Sequence, residues 1–100
     1  MSDTLVIIPT YNEKENIEAI IKAVFSQKKE FDILIVDDSS PDGTADIVAE
    51  LTTTFPRLFL EVRKEKKGLG TAYIHGFIWA LAHGYTEIIE MDADFSHDPN

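Results

Sequence analysis

Two aspartates one residue apart, Asp92 and Asp94, follow directly on the apolar run Ile88, Ile89, Glu90 and Met91. In an extended segment the side chains at i and i+2 point the same way, so the two carboxylates converge on one spot. At an effective dielectric of about 20, unit charges about 4 Å apart repel by roughly 4 kcal/mol, and a divalent cation turns that repulsion into attraction. Hard oxygen ligands in such small number suit Mg²⁺ or Mn²⁺, with further positions left for water or a phosphate. Asp-x-Asp alone is a common accident of solvated loops. Its weight here comes from where the other polar motifs fall.

Those motifs sit after apolar runs. Thr4 to Ile8, Ile33 to Val36, Leu58 to Val62 and Glu87 to Met91 read as strands, and their largely unbroken Val, Ile and Leu content suits strands covered on both faces. Between them Ile17, Ile20, Ile21 and Val24 keep helical spacing, with Asn12 as the expected N-cap, and Ile47, Val48, Leu51 and Phe55 repeat it before Pro56. A third helix, Thr71 to His83, is apolar on nearly all sides and ends at Gly84. The order β-α-β-α-β-α-β predicts an α/β fold, a Rossmann-like parallel sheet of order 3-2-1-4 with helices on both faces. Ligands of such sheets bind beyond the carboxyl ends of the strands, where the winding reverses. Glu13, after the first strand, and the aspartate pair, after the fourth, are thereby expected in one crevice.

The 100 residues, 44% of them hydrophobic, make one domain with a core of its own. The absence of cysteine excludes a disulfide framework and a thiolate metal site, and fits a reducing compartment. The apolar run Leu5 to Ile8 is too short for a signal peptide, and no stretch approaches the roughly 18 apolar residues of a membrane span, so the piece reads as soluble. A net charge of −9 argues against nucleic acid as a partner and means that a bound phosphate needs a cation.

Asp37 and Asp38 are adjacent on an extended chain and face opposite ways, so one bonds into the fold and the other, Asp38, is expected to face the crevice. Ser40, Pro41, Asp42 and Gly43 form a turn by composition, with Asp42 or Ser40 able to cap the second helix. The stretch from Asp38 imitates a calcium loop but has Ala49 where that motif needs a bidentate glutamate. Gly68-Leu69-Gly70 is only a partial dinucleotide fingerprint, because Tyr73 takes the third glycine's place. His75 and His83 lie eight residues apart on one helix and read as structural, whereas His97 follows the metal candidates closely enough to reach them.

Taken together, Val6 to Glu13, Ile35 to Thr44, Lys67 to Ala72 and Met91 to Pro99 resemble the family 2 glycosyltransferases, and within them the dolichol-phosphate (polyprenol-phosphate) mannosyltransferase branch. The resemblance covers essentially the whole chain. It implies that residues 1–100 are the nucleotide-sugar-binding half of a GT-A fold, truncated before the acceptor-binding half. Carried over by position, it places Pro9, Tyr11, Glu13, Val36 and Asp38 around the nucleoside of a nucleotide-sugar, GDP-mannose foremost. Asp92 and Asp94 would hold Mg²⁺ or Mn²⁺ on the diphosphate, with Ala93 lining the same turn. The implied reaction is inverting displacement at the anomeric carbon by the phosphate of a polyprenyl lipid, an anionic nucleophile that needs no general base, so no catalytic side chain is assigned in this half. The resemblance further implies work in the cytoplasm at the membrane surface and basic phosphate-clamping residues further downstream. Two alternatives stay open: a relative using a UDP-sugar and a sugar acceptor, and a nucleotide- or metal-binding module without turnover. The apolar third helix adds the expectation that the fragment, inactive alone, forms a homodimer.

Overall fold

In the computed structural model, which describes residues 3–28, 30–64 and 69–91 with Leu69 by its backbone alone, the apolar runs become four parallel strands. They are β1 (Thr4–Thr10), β2 (Asp32–Asp37), β3 (Leu58–Val62) and β4 (Glu87–Glu90), in the sheet order β3-β2-β1-β4. Helices α1 (Ile17–Phe25), α2 (Thr44–Leu51) and α3 (Leu69–Ala82) make the connections. The expected 3-2-1-4 order therefore holds, and the winding reverses between β1 and β4.

Alternation along the strands divides the core into two layers. Val6, Ile8, Ile33 and Ile35 pack under α1 and α2, against Ile17, Ile21 and Val48. Leu5, Ile7, Leu34 and Val36 turn the other way, toward Ala72 and Ala80 of α3 and toward Tyr85. Every residue of β1 and β2 is buried, as unbroken apolar runs predict. The same expectation fails for β3 and β4, where only Leu58 is fully buried, because both strands are edges of the described sheet and receive helix cover on little of their length.

The third helix approaches the sheet through small residues. Ala72, Gly76 and Ala80 are spaced four apart on one face, and a Cβ built on Gly76 would stand 2.7 Å from Ile7 Cγ2. Only a glycine fits so close to a buried β1 side chain. The opposite face carries Ile74, Ile78 and Leu81, exposed by 57%, 65% and 72%, so the helix is half covered rather than enclosed. Its carboxyl end is fixed by aromatic contacts: Trp79 stacks on His83, and the Tyr85 hydroxyl donates to buried Asp32 at 2.6 Å. His83 Nδ1 lies 2.7 Å from the Trp79 carbonyl and His75 Nε2 lies 3.2 Å from Glu61, so both histidines have structural partners. Among the described residues no helix is long and apolar enough to cross a membrane.

One expected cap is corrected. Asn12 does not cap α1, whose N-cap position is Asn16, without a side-chain cap bond. The Glu13 carbonyl accepts from the N–H groups of Asn16 and Ile17 instead, at 3.0 and 2.9 Å, and so closes the first turn. Asn12 takes a left-handed conformation with φ of 57°, for a reason that lies in the next loop.

Candidate functional site

The carboxyl ends of β1, β2 and β3 meet around one aspartate. Asp37 is fully buried and accepts from the Thr10 hydroxyl at 2.6 Å, the Ser40 hydroxyl at 2.6 Å and the Ser40 N–H at 2.9 Å. Its neighbour Asp38 points the other way, as adjacent residues on a strand must. Asp37 thus bonds into the fold, as expected of one member of the pair.

Asp38 is not left open. The guanidinium of Arg63 grips it with two parallel bonds of 2.6 Å, from Nε to Oδ1 and from Nη2 to Oδ2. Both side chains are nearly buried, 10% exposed for Arg63 and 7% for Asp38. Arg63 Nη1 also donates to Thr71 at the start of α3, at 3.0 Å, and the Ser39 hydroxyl donates to the Arg63 carbonyl. A carboxylate has about four acceptor positions, so two bonds from arginine still leave Asp38 able to accept from a ligand N–H or O–H. Arg63 was not among the residues expected at the site. It stands at the head of the basic stretch Arg63 to Lys67, and nothing local distinguishes it from the lysines beside it.

A second set of bonds ties the β1–α1 loop to the β2–α2 loop. Ser40 Oγ accepts from the Asn12 N–H at 2.9 Å, Thr44 Oγ1 from the Glu13 N–H at 3.0 Å, and Asp42 Oδ2 from the Lys14 N–H at 3.1 Å. Asp42 also takes the Thr44 N–H at 3.0 Å, but the N-cap position of α2 is Gly43, without a side-chain cap bond, so neither Asp42 nor Ser40 is the cap that composition suggested. Desolvation pushes its carboxyl pKa up, but the hydrogen bonds from Thr44 and Lys14 together with the Lys14 charge outweigh that and hold it below the ordinary 3.8. The loops are also where the backbone is least ordinary: among the described residues the non-glycine residues of positive φ are Asn12 at 57° and Ser39 at 54°.

Of the other expected residues, Pro9 and Val36 are buried partners across the β1–β2 register, Tyr11 is 38% exposed, and Glu13 is half-buried at the loop. Pro9 has no N–H to offer a ladder. Described pairing of β1 with β4 ends at Ile7↔Glu90, followed by the Met91 N–H on the Ile7 carbonyl at 3.0 Å. The chain therefore leaves β4 beside the end of β1, at the switch point, and the next residue is Asp92. Asp92, Ala93 and Asp94 themselves, with His97 and Gly68, lie outside the described residues. Among the described residues, no group of three or more His, Asp or Glu side chains is arranged to hold a metal. Two carboxylates two apart at a strand end remain the donor set whose chemistry suits Mg²⁺ or Mn²⁺.

The described polar loops gather at the carboxyl ends of β1, β2 and β3, the end of a parallel α/β sheet beyond which ligands bind. The chain belongs to glycosyl transferase family 2, whose sequence profile matches residues 5–100. It is 50% identical over 97 residues to the polyprenol monophosphomannose synthase of Mycolicibacterium smegmatis, a match covering 96% of this chain and 37% of that protein. It is 46% identical over 95 residues to the undecaprenyl-phosphate mannosyltransferase of Micrococcus luteus, covering 95% and 39%. The chain thus spans well under half the length of these relatives. Among solved structures it is similar to a mannosyltransferase of Pyrobaculum calidifontis in complex with GDP-Man and Mn²⁺, with a TM-score of 0.76 and 32% identity over 92% of this chain and 27% of that one. The fold is accordingly the nucleotide-binding half of the GT-A type.

Proposed function

We propose that this chain is the donor-binding half of an enzyme that moves mannose from GDP-mannose to the phosphate of a polyprenyl or dolichyl lipid, with inversion. The observation that carries the reading is 50% identity across 96% of the chain to a polyprenol monophosphomannose synthase. The GDP-Man and Mn²⁺ bound by the Pyrobaculum structure agree with it.

In this reading the exposed Tyr11 meets the nucleoside with the buried pair Pro9 and Val36 of β1 and β2 behind it, and Glu13 and Asp38 accept hydrogen bonds from base or ribose donors. Arg63 holds the Asp38 carboxylate in one orientation, since its fork bonds both oxygens. Asp92 and Asp94 hold Mg²⁺ or Mn²⁺ at the diphosphate, beside Ala93. When bound there, the ion supplies a Lewis acid for the charge that develops on the leaving group. The acceptor's phosphate oxygen forms the new bond to the anomeric carbon as the bond to GDP breaks. An acceptor anchored in lipid puts the work at the cytoplasmic membrane surface.

The test is to supply the full-length enzyme with Mn²⁺, polyprenyl phosphate and either GDP-mannose or UDP-sugars, and to measure released nucleoside diphosphate. Release of GDP that requires the lipid phosphate is expected. Turnover with UDP-sugars alone would replace this reading by the UDP-sugar alternative, and no turnover with any donor would leave a binding module. The exposed stripe Ile74, Ile78 and Leu81 supports self-association of the isolated chain. Light scattering over a dilution series should show dimers, and a monomer throughout would refute that.

A further inference from the structure

We infer that Ser40, Asp42 and Thr44 are positioning residues of the donor site, a clamp that presets Tyr11 and Glu13 before any ligand arrives. The inference rests on the reading that Tyr11 and Glu13 face the nucleoside. Its own basis is the bonding between the two loops. Three consecutive amides, those of Asn12, Glu13 and Lys14, are each held by a different side chain of the second loop, at 2.9, 3.0 and 3.1 Å.

The polarity of the two bonds to hydroxyls is determined by a carboxylate behind each, while the Lys14 N–H meets the Asp42 carboxylate directly. A hydroxyl has one proton to give. The proton of Ser40 goes to Asp37, at 2.6 Å, and that of Thr44 goes to Asp42, so both oxygens facing the first loop are left as acceptors. Peptide N–H groups are the partners such oxygens need. Accepting hydrogen bonds from Ser40 and Thr44, Asp37 and Asp42 also strengthen the next bond in each chain, because hydrogen bonds in series polarise one another.

The clamp explains the conformation of Asn12. A left-handed φ of 57° is open to asparagine more than to most residues, and the loop's bonds select it here. Here Ser40 holds the Asn12 N–H from one side and Thr44 holds the next one along. A residue turned into the left-handed region redirects the chain, so the clamp decides where the side chains on either side of Asn12, Tyr11 and Glu13, are aimed. Ser39, at φ of 54°, anchors the clamp from behind through the Arg63 carbonyl. The positioning runs from the buried end of β2 into the loop of β1.

Thr44→Val keeps the shape of the fully buried Thr44 and removes its oxygen, while Thr44→Ser keeps the oxygen. Two quantities are to be read for each: the exchange rate of the Glu13 amide hydrogen, which needs no ligand, and the Kd for GDP in the presence of Mn²⁺. Thr44→Val should accelerate Glu13 exchange and raise Kd about tenfold, and Thr44→Ser should restore both to within about twofold of the parent. Ser40→Ala, at a half-buried site, should do the same to the Asn12 amide and serves if Thr44→Val fails to fold. Unchanged exchange at these amides would show that the clamp does not hold the loop. Faster exchange with an unchanged Kd, in a parent that binds GDP, would show that the loop's setting is irrelevant to the ligand, and either result overturns the inference. A parent chain that binds no GDP with Mn²⁺ refutes the donor-site reading instead, and the exchange rates still decide whether the clamp exists.

Discussion

Replacing Asp38 by asparagine keeps the shape of the side chain and removes the charge that Arg63 grips. The guanidinium, 10% exposed, would then face a neutral amide offering one acceptor oxygen in place of the two carboxylate oxygens bonded at 2.6 Å. Breaking a buried pair by removing one partner costs about 3 to 5 kcal/mol, and the remaining bond from Arg63 to Thr71 and the surviving amide oxygen argue for the low end, about 3 kcal/mol. A domain of this size holds about 5 to 15 kcal/mol in all. For 60 to 100 residues each kcal/mol is worth about 4 to 8 °C, so the midpoint should fall by about 12 to 24 °C. Urea and thermal unfolding followed by circular dichroism measure this directly. Arg63→Met removes the orphaned charge as well, so the double variant should be less destabilised than the sum of the single ones, by at least about 1.5 kcal/mol. An Asp38→Asn protein within about 0.5 kcal/mol of the parent would refute the reasoning, because a pair worth that little behaves as a solvent-screened surface contact.

Gly76→Ala should destabilise the chain by about 1 kcal/mol, since overpacking against Ile7 exceeds the gain in helix propensity; a variant more stable than the parent in urea would show that α3 does not lie so close to β1. The Tyr85 phenol is raised well above its ordinary 10.0, first by burial and then by its hydrogen bond to Asp32 and the charge there. Its stabilising contribution is therefore complete below pH 10 and is lost as the pH rises through the raised value. In alkaline titration the tyrosinate absorbance that Tyr85→Phe removes should appear only with unfolding, and its reversible appearance near 10 in the folded chain would refute the burial.

Much of the fold was legible because strands buried on both faces write themselves as unbroken runs, and Ile17, Ile20, Ile21 and Val24 could belong only to a helix with one covered face. The edge strands were over-read: Glu87 and Glu90 bracket only Ile88 and Ile89 in β4, and Glu61 interrupts β3, breaks that the run Leu5 to Ile8 of β1 lacks, and only neighbours in space provide cover. At the site, alternation gave Asp37 and Asp38 different partners but did not show that Asp38, expected to face the crevice, is itself nearly buried against Arg63. Arg63 was invisible because its bond to Asp38 crosses 25 residues, and the motif reads as a basic loop until β3 is laid beside β2. Asn12 misled for a related reason: a residue type that caps helices also tolerates the left-handed region, and only the second loop's acceptors decide between them.

Calorimetric titration of GDP into this chain with Mn²⁺ present, repeated in EDTA and with Asp94→Ala, tests the central claim most directly. The donor-site account predicts binding with Mn²⁺ that disappears in EDTA and in the variant, with the fold of the variant intact by circular dichroism. Equal affinity in all three titrations would contradict it, because the nucleotide would then be held without the aspartate pair and the ion.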